Sequence, residues 1–305
     1  MRPAISLNNS DPRIKYEGVI IQRRCLNMAT QFVTRLAGLI DEKNTVLCIG
    51  LDPALPEQRK SQAIPQRYLN GEDENGGRLA FCLDIIDKTK AFCSVFKPNQ
   101  QYIAGFTAKD HLELTSAIRK AGTISILDYK LNDIGDTMES ALFHISRWGY
   151  DAITFNPFLG NMEKAVNIAH GISPQIGLIV LTLTSNPEAI KYQKEAFINK
   201  KPVYQDIALD VKRHDADGCV VGATGHITED EMRMVRTIIG EDKVLLIPGI
   251  GAQKGDPLKA MRAGGKLLLM NVGREIIYSD NPHTKAEEYS KLFNDVRKHI
   301  DKSVL

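Results

Sequence analysis

Eight short apolar runs, each followed by a longer segment of helical periodicity, constrain this chain more than any other feature. They read "TVLCIGLD" (45–52), "SVFKPN" (94–99), "TISILDYK" (123–130), "AITFN" (152–156), "GLIVLT" (177–182), "GCVVGA" (218–223), "VLLIPG" (244–249) and "LLLMNV" (267–272). The runs are β-branched and almost unbroken in hydrophobicity, as in strands buried on both faces. Between them, segments such as "LAFCLDIIDKTKAFC", "HLELTSAIRKAG" and "MESALFHISRWG" repeat apolar residues at spacings of three and four. Strands alternating with helices build parallel βαβ units. Eight such units predict an α/β fold of the (β/α)8 TIM-barrel type, whose usual size of about 250 residues fits the span from Thr45 to Leu305. The rival is a doubly wound open sheet. "GIGAQKG" (249–255) does not support it, because Gly249, Gly251 and Gly255 miss the GxGxxG spacing by one residue.

Glycines at 122, 149, 171, 240 and 264 fall near the ends of helical segments, where a left-handed residue commonly closes a helix. Two connections are longer than a barrel needs: the Pro- and Gly-rich residues 53–78, and residues 183–201. Both leave the C-terminal ends of strands, the face on which barrel enzymes place their chemistry, and both are candidate lids. Residues 1–27 contain Arg2, Arg13, Arg23 and Arg24 but also Asp11 and Glu17, and lack an apolar signal core. They read as a poorly ordered N-terminal extension rather than a targeting segment, with the barrel as a single domain over 28–305.

The charge balance, 39 basic against 37 acidic side chains, excludes a polybasic surface for nucleic acid or membrane. Any anion site must be local. Five widely spaced cysteines without a CxxC motif read as reduced core residues of a cytoplasmic protein. No apolar span approaches the roughly 18 residues of a transmembrane helix.

Against this background, the third run ends in an unusual way. "ILDYKLNDIGDT" (126–137) places three aspartates and a lysine at the end of an otherwise buried strand. Residues two apart in a strand share a face, so Asp128 and Lys130 are predicted to project into the barrel mouth while Leu127 and Tyr129 pack outward. Asp133 follows in the βα loop, free to reach the same volume or a neighbouring subunit. Asp52 closes the first run and Lys97 lies near the end of the second. A purely structural ion pair is a poor stabiliser relative to apolar packing, and four charges on three neighbouring strands would be a costly plug. Convergence of charge on the catalytic face points to a site.

A second constellation follows the last two runs: "PGIGAQKGD" (248–256) and "NVGREI" (271–276). Barrels often bind phosphate there through backbone amides. Gly249, Gly251 and Gly273 permit close approach, Gln253 offers an amide donor, and Arg274 offers a bidentate fork.

Taken together, "CIGLDP", "FKPN", "DYKLNDIGDT", "LTSNPE", "PGIGAQKGD" and "NVGR" occur in the order seen in the orotidine 5′-monophosphate decarboxylase family, and the chain resembles the longer subgroup of that family from roughly Thr45 to Asp280. The resemblance implies a carboxy-lyase that converts orotidine 5′-monophosphate to uridine 5′-monophosphate and CO2 in pyrimidine biosynthesis. By position, Asp128, Lys130, Lys97 and Asp133 would form the catalytic charge network, with Lys130 as proton donor. Asp52 and Lys97 would meet the ribose, Ser185 the pyrimidine, and Gln253, Gly273 and Arg274 the phosphate, with Asn99 and Gly251 also lining the substrate. Asp133, Ile134 and Thr137 would reach into a partner subunit, making a homodimer with shared sites. No cofactor or metal is implied. Lys254 departs from the small residue common there, and "MATQFVTRLAGLIDEKN" resembles the family's opening helix, which suggests Met28 as a native start.

Two other readings use the same residues. A sugar-phosphate lyase such as 3-keto-L-gulonate 6-phosphate decarboxylase resembles the D-x-K-x-x-D core but needs Mg2+. The continuation through Ile134 and Thr137 and the "LTSNPE" motif favour orotidylate. A non-catalytic phosphate-binding barrel would have no use for so costly a charge cluster.

Overall fold

The computed structural model describes residues 30–71, 73–251 and 255–303. The expectations for the N-terminal extension, for Met28 and for Gln253 and Lys254 therefore lie outside the described residues. Eight parallel strands close into a barrel: β1 (Leu47–Leu51), β2 (Val95–Pro98), β3 (Ile124–Leu131), β4 (Ala152–Phe155), β5 (Gly177–Leu183), β6 (Gly218–Val221), β7 (Val244–Pro248) and β8 (Leu268–Val272). Each pairs with its neighbours in sequence, and β8 closes on β1 through Leu47↔Met270, Cys48↔Asn271 and Ile49↔Val272. The barrel expectation holds and the open sheet does not. Every residue of β1, β2, β4 and β6 is buried, which is why their sequences run nearly apolar rather than alternating, with Lys97 in β2 as the charged exception.

Helices α2 (Glu74–Thr89), α3 (Ala108–Lys120), α4 (Gly135–Arg147), α5 (Met162–Gly171), α6 (Val203–Arg213), α7 (Glu229–Ile239), α8 (Pro257–Gly264) and α10 (Pro282–Ser303) surround the strands; α1 (Gln31–Lys43) precedes them and the short α9 (Arg274–Ile277) follows β8. Capping boxes start α3, through Thr107 and Asp110, and α7, through Thr228 and Glu231. Helix α1 inserts Phe32 against Gly177 at the start of β5, so closely that any Cβ at Gly177 would strike the ring. It thus covers the N-terminal end of the barrel and leaves the C-terminal end for loops. Of the glycines expected to close helices, Gly122, Gly149 and Gly240 have positive φ, whereas Gly171 and Gly264 are the last residues of α5 and α8. Gly265, with φ 68°, performs the turn expected of Gly264.

Helix α7 buries Met232, Val235, Arg236 and Ile239, a core-facing stripe that contains one arginine. The Arg236 guanidinium donates to the carbonyls of Gly264 (2.8 Å), Gly240 (2.7 Å), Lys243 (2.7 Å) and Leu267 (3.1 Å), joining α7, α8 and the entries to β7 and β8. Arg236→Met keeps the stem but removes this donor from the Gly264, Gly240 and Lys243 carbonyls, while the Leu267 carbonyl still accepts from Leu245 N–H (2.8 Å). Given about 1–3 kcal/mol per buried group so orphaned, a loss of about 3 kcal/mol or more is expected in urea unfolding. An unchanged midpoint would show that water replaces the guanidinium.

The first long connection is anchored where it leaves the barrel. Its base is held by Tyr278, whose hydroxyl donates to the Asp52 carbonyl (2.7 Å) and accepts from the Ala54 amide (2.8 Å). Leu55 and Ile64 are buried, and Ile64 N–H closes on Ala54 O at 2.8 Å. The second connection folds into a π-helical turn (Ile190–Lys194) and a two-residue hairpin, Phe197–Ile198 against Lys201–Pro202.

Candidate active site

The charged ends of β2 and β3 meet at the C-terminal mouth. Asp128 accepts from Lys97 Nζ through Oδ2 and from Lys130 Nζ through Oδ1, each at 2.6 Å. The Lys97 and Asp128 side chains are only 7% and 13% exposed, whereas Lys130 is 46% exposed. The lysine that faces the open mouth is therefore Lys130, and Lys97 is its buried counterpart. Burial by itself pushes the Asp128 carboxyl up, but Lys97 and then Lys130 hold it well below the usual carboxylate range. Burial likewise pulls the Lys97 amine down, and Asp128, with Asp52 and Cys48, more than restores it. Because the folded pKa of Asp128 lies below the unfolded value of about 3.9, its contribution to stability is complete above that pH and is lost as pH falls through the depressed value.

The backbone that brings Lys130 to Asp128 is not a regular strand. Pairing of β3 with β4 runs Leu127↔Ile153 and then Leu131↔Phe155, so residues 128–130 stand opposite Thr154 alone. Within this bulge Lys130 has φ 55°, a left-handed conformation costing about 1–2 kcal/mol for a residue with a Cβ. The period-two expectation thus names the right pair for an incomplete reason. Tyr129 is partly buried against the hydrophobic core.

Thr154 was not singled out by sequence. Its hydroxyl accepts from the Lys130 amide (2.9 Å) and donates to Asp128 Oδ1 (3.0 Å), and the residue is 2% exposed. Asn271 is a second such residue: its Oδ1 accepts from the Cys48 thiol at 3.4 Å inside the barrel. Burial pushes that thiol up to about 12, so it remains protonated beside Lys97.

The other predicted residues fall around this centre. Asp52 closes β1, and a Cβ at Gly273 would stand 3.8 Å from its carboxylate. Asn99 bridges to the Asp128 backbone, while its side chain accepts from Gln101 N–H (3.1 Å). Ser185 lies in the loop after β5, where its carbonyl accepts from Thr224 Oγ1 (2.8 Å) and its backbone packs against Gly222. Lys194 bonds the His226 carbonyl (2.5 Å) and pairs with Glu231 (2.9 Å), tying that loop to the one after β6. After β7 and β8, Gly249 has φ 98°, and a Cβ at Gly251 would meet Glu275 at 3.3 Å, beside Arg274 and Gly273. The loops proposed for phosphate are therefore in contact.

Asp133, Ile134 and Thr137 do not join the cluster of their own chain. Asp133 Oδ1 accepts from Ile134 N–H (2.8 Å) and its carbonyl accepts from Asn161 Nδ2 (2.8 Å), while Ile134 is 60% exposed and Thr137 is exposed. Among the described residues, no three His, Cys, Asp or Glu side chains gather as a metal site would require, and no helix is long and apolar enough to cross a membrane.

Barrel packing alone does not call for two ammonium groups around one carboxylate at the mouth, and the fold and site define the class of (β/α)8 barrels with a charged cluster of lysine and aspartate on the catalytic face. Comparison with known proteins narrows that class. The orotidine 5′-phosphate decarboxylase / HUMPS family profile matches residues 45–289, and the chain belongs to this family. It is 34% identical over 284 residues to an orotidine 5′-phosphate decarboxylase of Janthinobacterium sp. (strain Marseille), covering 90% of this chain and 99% of that one. It is 36% identical over 260 residues to the protein of that name from Cupriavidus necator, covering 81% and 89%. Among solved structures, the UMP synthase of Leishmania donovani matches with a TM-score of 0.70 at 25% identity, over 88% of this chain and 57% of that one.

Proposed function

We propose that Lys130 delivers the proton to C6 as this enzyme decarboxylates orotidine 5′-monophosphate to uridine 5′-monophosphate and CO2. Loss of CO2 leaves a carbanion in an in-plane orbital that the ring carbonyls cannot stabilise, so fixed charge must do so. Lys130 suits this task because it is the more exposed of the two lysines on Asp128. This asymmetry is the observation that carries the reading. Asp128, kept ionised, would also repel the departing carboxylate. At about 4 Å and an effective dielectric of about 20, that repulsion is worth at most roughly 4 kcal/mol. The largest enzymatic accelerations correspond to about 23 kcal/mol, so most of the effect is assigned to stabilisation of the transition state by Lys130.

Asp52 and Lys97 serve the ribose in this reading, with Asn99 beside them. Ser185 serves the pyrimidine, and Gly251, Gln253, Gly273 and Arg274 serve the phosphate. The enzyme acts as a cytoplasmic homodimer in which Asp133, Ile134 and Thr137 complete the partner's site. Exposed Ile134, Phe158 and Leu159 on the adjacent loops after β3 and β4 support such an interface. Four described cysteines, all buried and free, suit a reducing compartment.

The reaction is read as cofactor-independent. Added orotidine 5′-monophosphate should lose its ultraviolet absorbance at the same rate with and without excess EDTA. Turnover abolished by EDTA and restored by Mg2+ would instead favour the metal-dependent sugar-phosphate chemistry also found on this barrel.

A further inference from the structure

The bulge in β3 leaves the Lys130 amide without a regular ladder partner, and the Thr154 hydroxyl takes that place. The same hydroxyl has one proton, which it donates to Asp128 Oδ1, the oxygen that also receives Lys130 Nζ. One side chain thus holds both ends of the Lys130 residue: its backbone directly, and its ammonium through the carboxylate that receives it. Thr182 on β5 shows the ordinary alternative, since its hydroxyl bonds the Val180 carbonyl of its own strand (3.0 Å). Lys130 holds a φ of 55° with a Cβ present, a conformation that needs such support from its surroundings.

We infer that Thr154 is a positioning residue for the decarboxylation, its hydroxyl fixing the left-handed backbone of Lys130 and one oxygen of Asp128 so that the ammonium is held in a single direction. The inference rests on the reading of Lys130 as proton donor. Thr154 is 2% exposed and its hydroxyl is engaged with Lys130 and Asp128, so its loss should act on the chemical step rather than on nucleotide affinity.

The test is a comparison of Thr154→Val, Thr154→Ser and Lys130→Ala in steady-state assays, with melting curves for each. Thr154→Val keeps shape and removes the hydroxyl; kcat should fall by about 10- to 100-fold with KM within about threefold. Thr154→Ser keeps the hydroxyl and should recover most of kcat. Should the Val variant fail to fold, Thr154→Ala provides the same deletion and the same loss is expected. Normal kcat in the hydroxyl-free variant, or equal losses in the Val and Ser variants, would overturn the positioning role while Lys130→Ala remains inactive. Near-normal turnover by Lys130→Ala would overturn the underlying reading instead.

Discussion

Lys130→Ala should fold, bind uridine 5′-monophosphate and turn over its substrate on the order of 10⁵-fold more slowly, or worse. Two losses combine in that figure. An ammonium about 4 Å from the developing carbanion, at an effective dielectric of about 20, contributes roughly 4 kcal/mol, or about 10³-fold. A positioned proton donor adds about 10²- to 10⁴-fold. The fold should survive because Asp128 retains Lys97 at 2.6 Å and the Thr154 hydroxyl at 3.0 Å, and the half-exposed Lys130 leaves no buried charge behind. Lys130→Arg is a sharper companion: it keeps a cation, but its planar guanidinium cannot give up a proton at neutral pH. Binding with turnover nearly as low as the alanine variant would separate proton delivery from charge. Near-normal turnover in either variant would remove Lys130 from the mechanism.

The barrel could be read from sequence because strands buried on both faces write themselves as continuous apolar runs, and charge at the end of such a run has few structural explanations. Asp128, Lys130 and Lys97 were visible for that reason. The bulge was not, because "DYKLN" contains no glycine to mark a positive φ, and the period-two rule brings Asp128 and Lys130 together anyway. Thr154 escaped notice because a β-branched residue inside "AITFN" already has a sufficient explanation as a strand former. Its partners are set by a register shift that no local pattern encodes. Arg236 did carry a signal. In "MRMVRTII" it occupies the core-facing slot between Val235 and Ile239, where a charged residue asks for acceptors. The ends of α5 and α8 illustrate a milder limit: a glycine near a helix end says that the helix stops, but not which residue turns.

The proposed sharing of the site between subunits makes the second large prediction. Asp128→Asn should be inactive because the charge that organises both lysines is gone, and Asp133→Ala should be inactive because the partner's site lacks its carboxylate. Mixed and allowed to exchange, the two inactive proteins should regain activity. In a hybrid dimer one site collects both defects. The other combines an intact Asp128 from one chain with an intact Asp133 from its neighbour. Random exchange makes about half the dimers hybrid, so recovery should approach roughly a quarter of the wild-type activity. The geometry supports the attempt: Asp133 bonds within its own turn at 2.8 Å, while Lys130 pairs with Asp128. Asp133 therefore lies outside the ion pairs of its own chain's cluster, beside the exposed Ile134. Differently tagged subunits would establish that exchange has occurred. Full exchange without recovered turnover would confine Asp133 to its own chain, and the exposed rim at Ile134, Phe158 and Leu159 would then need another occupant.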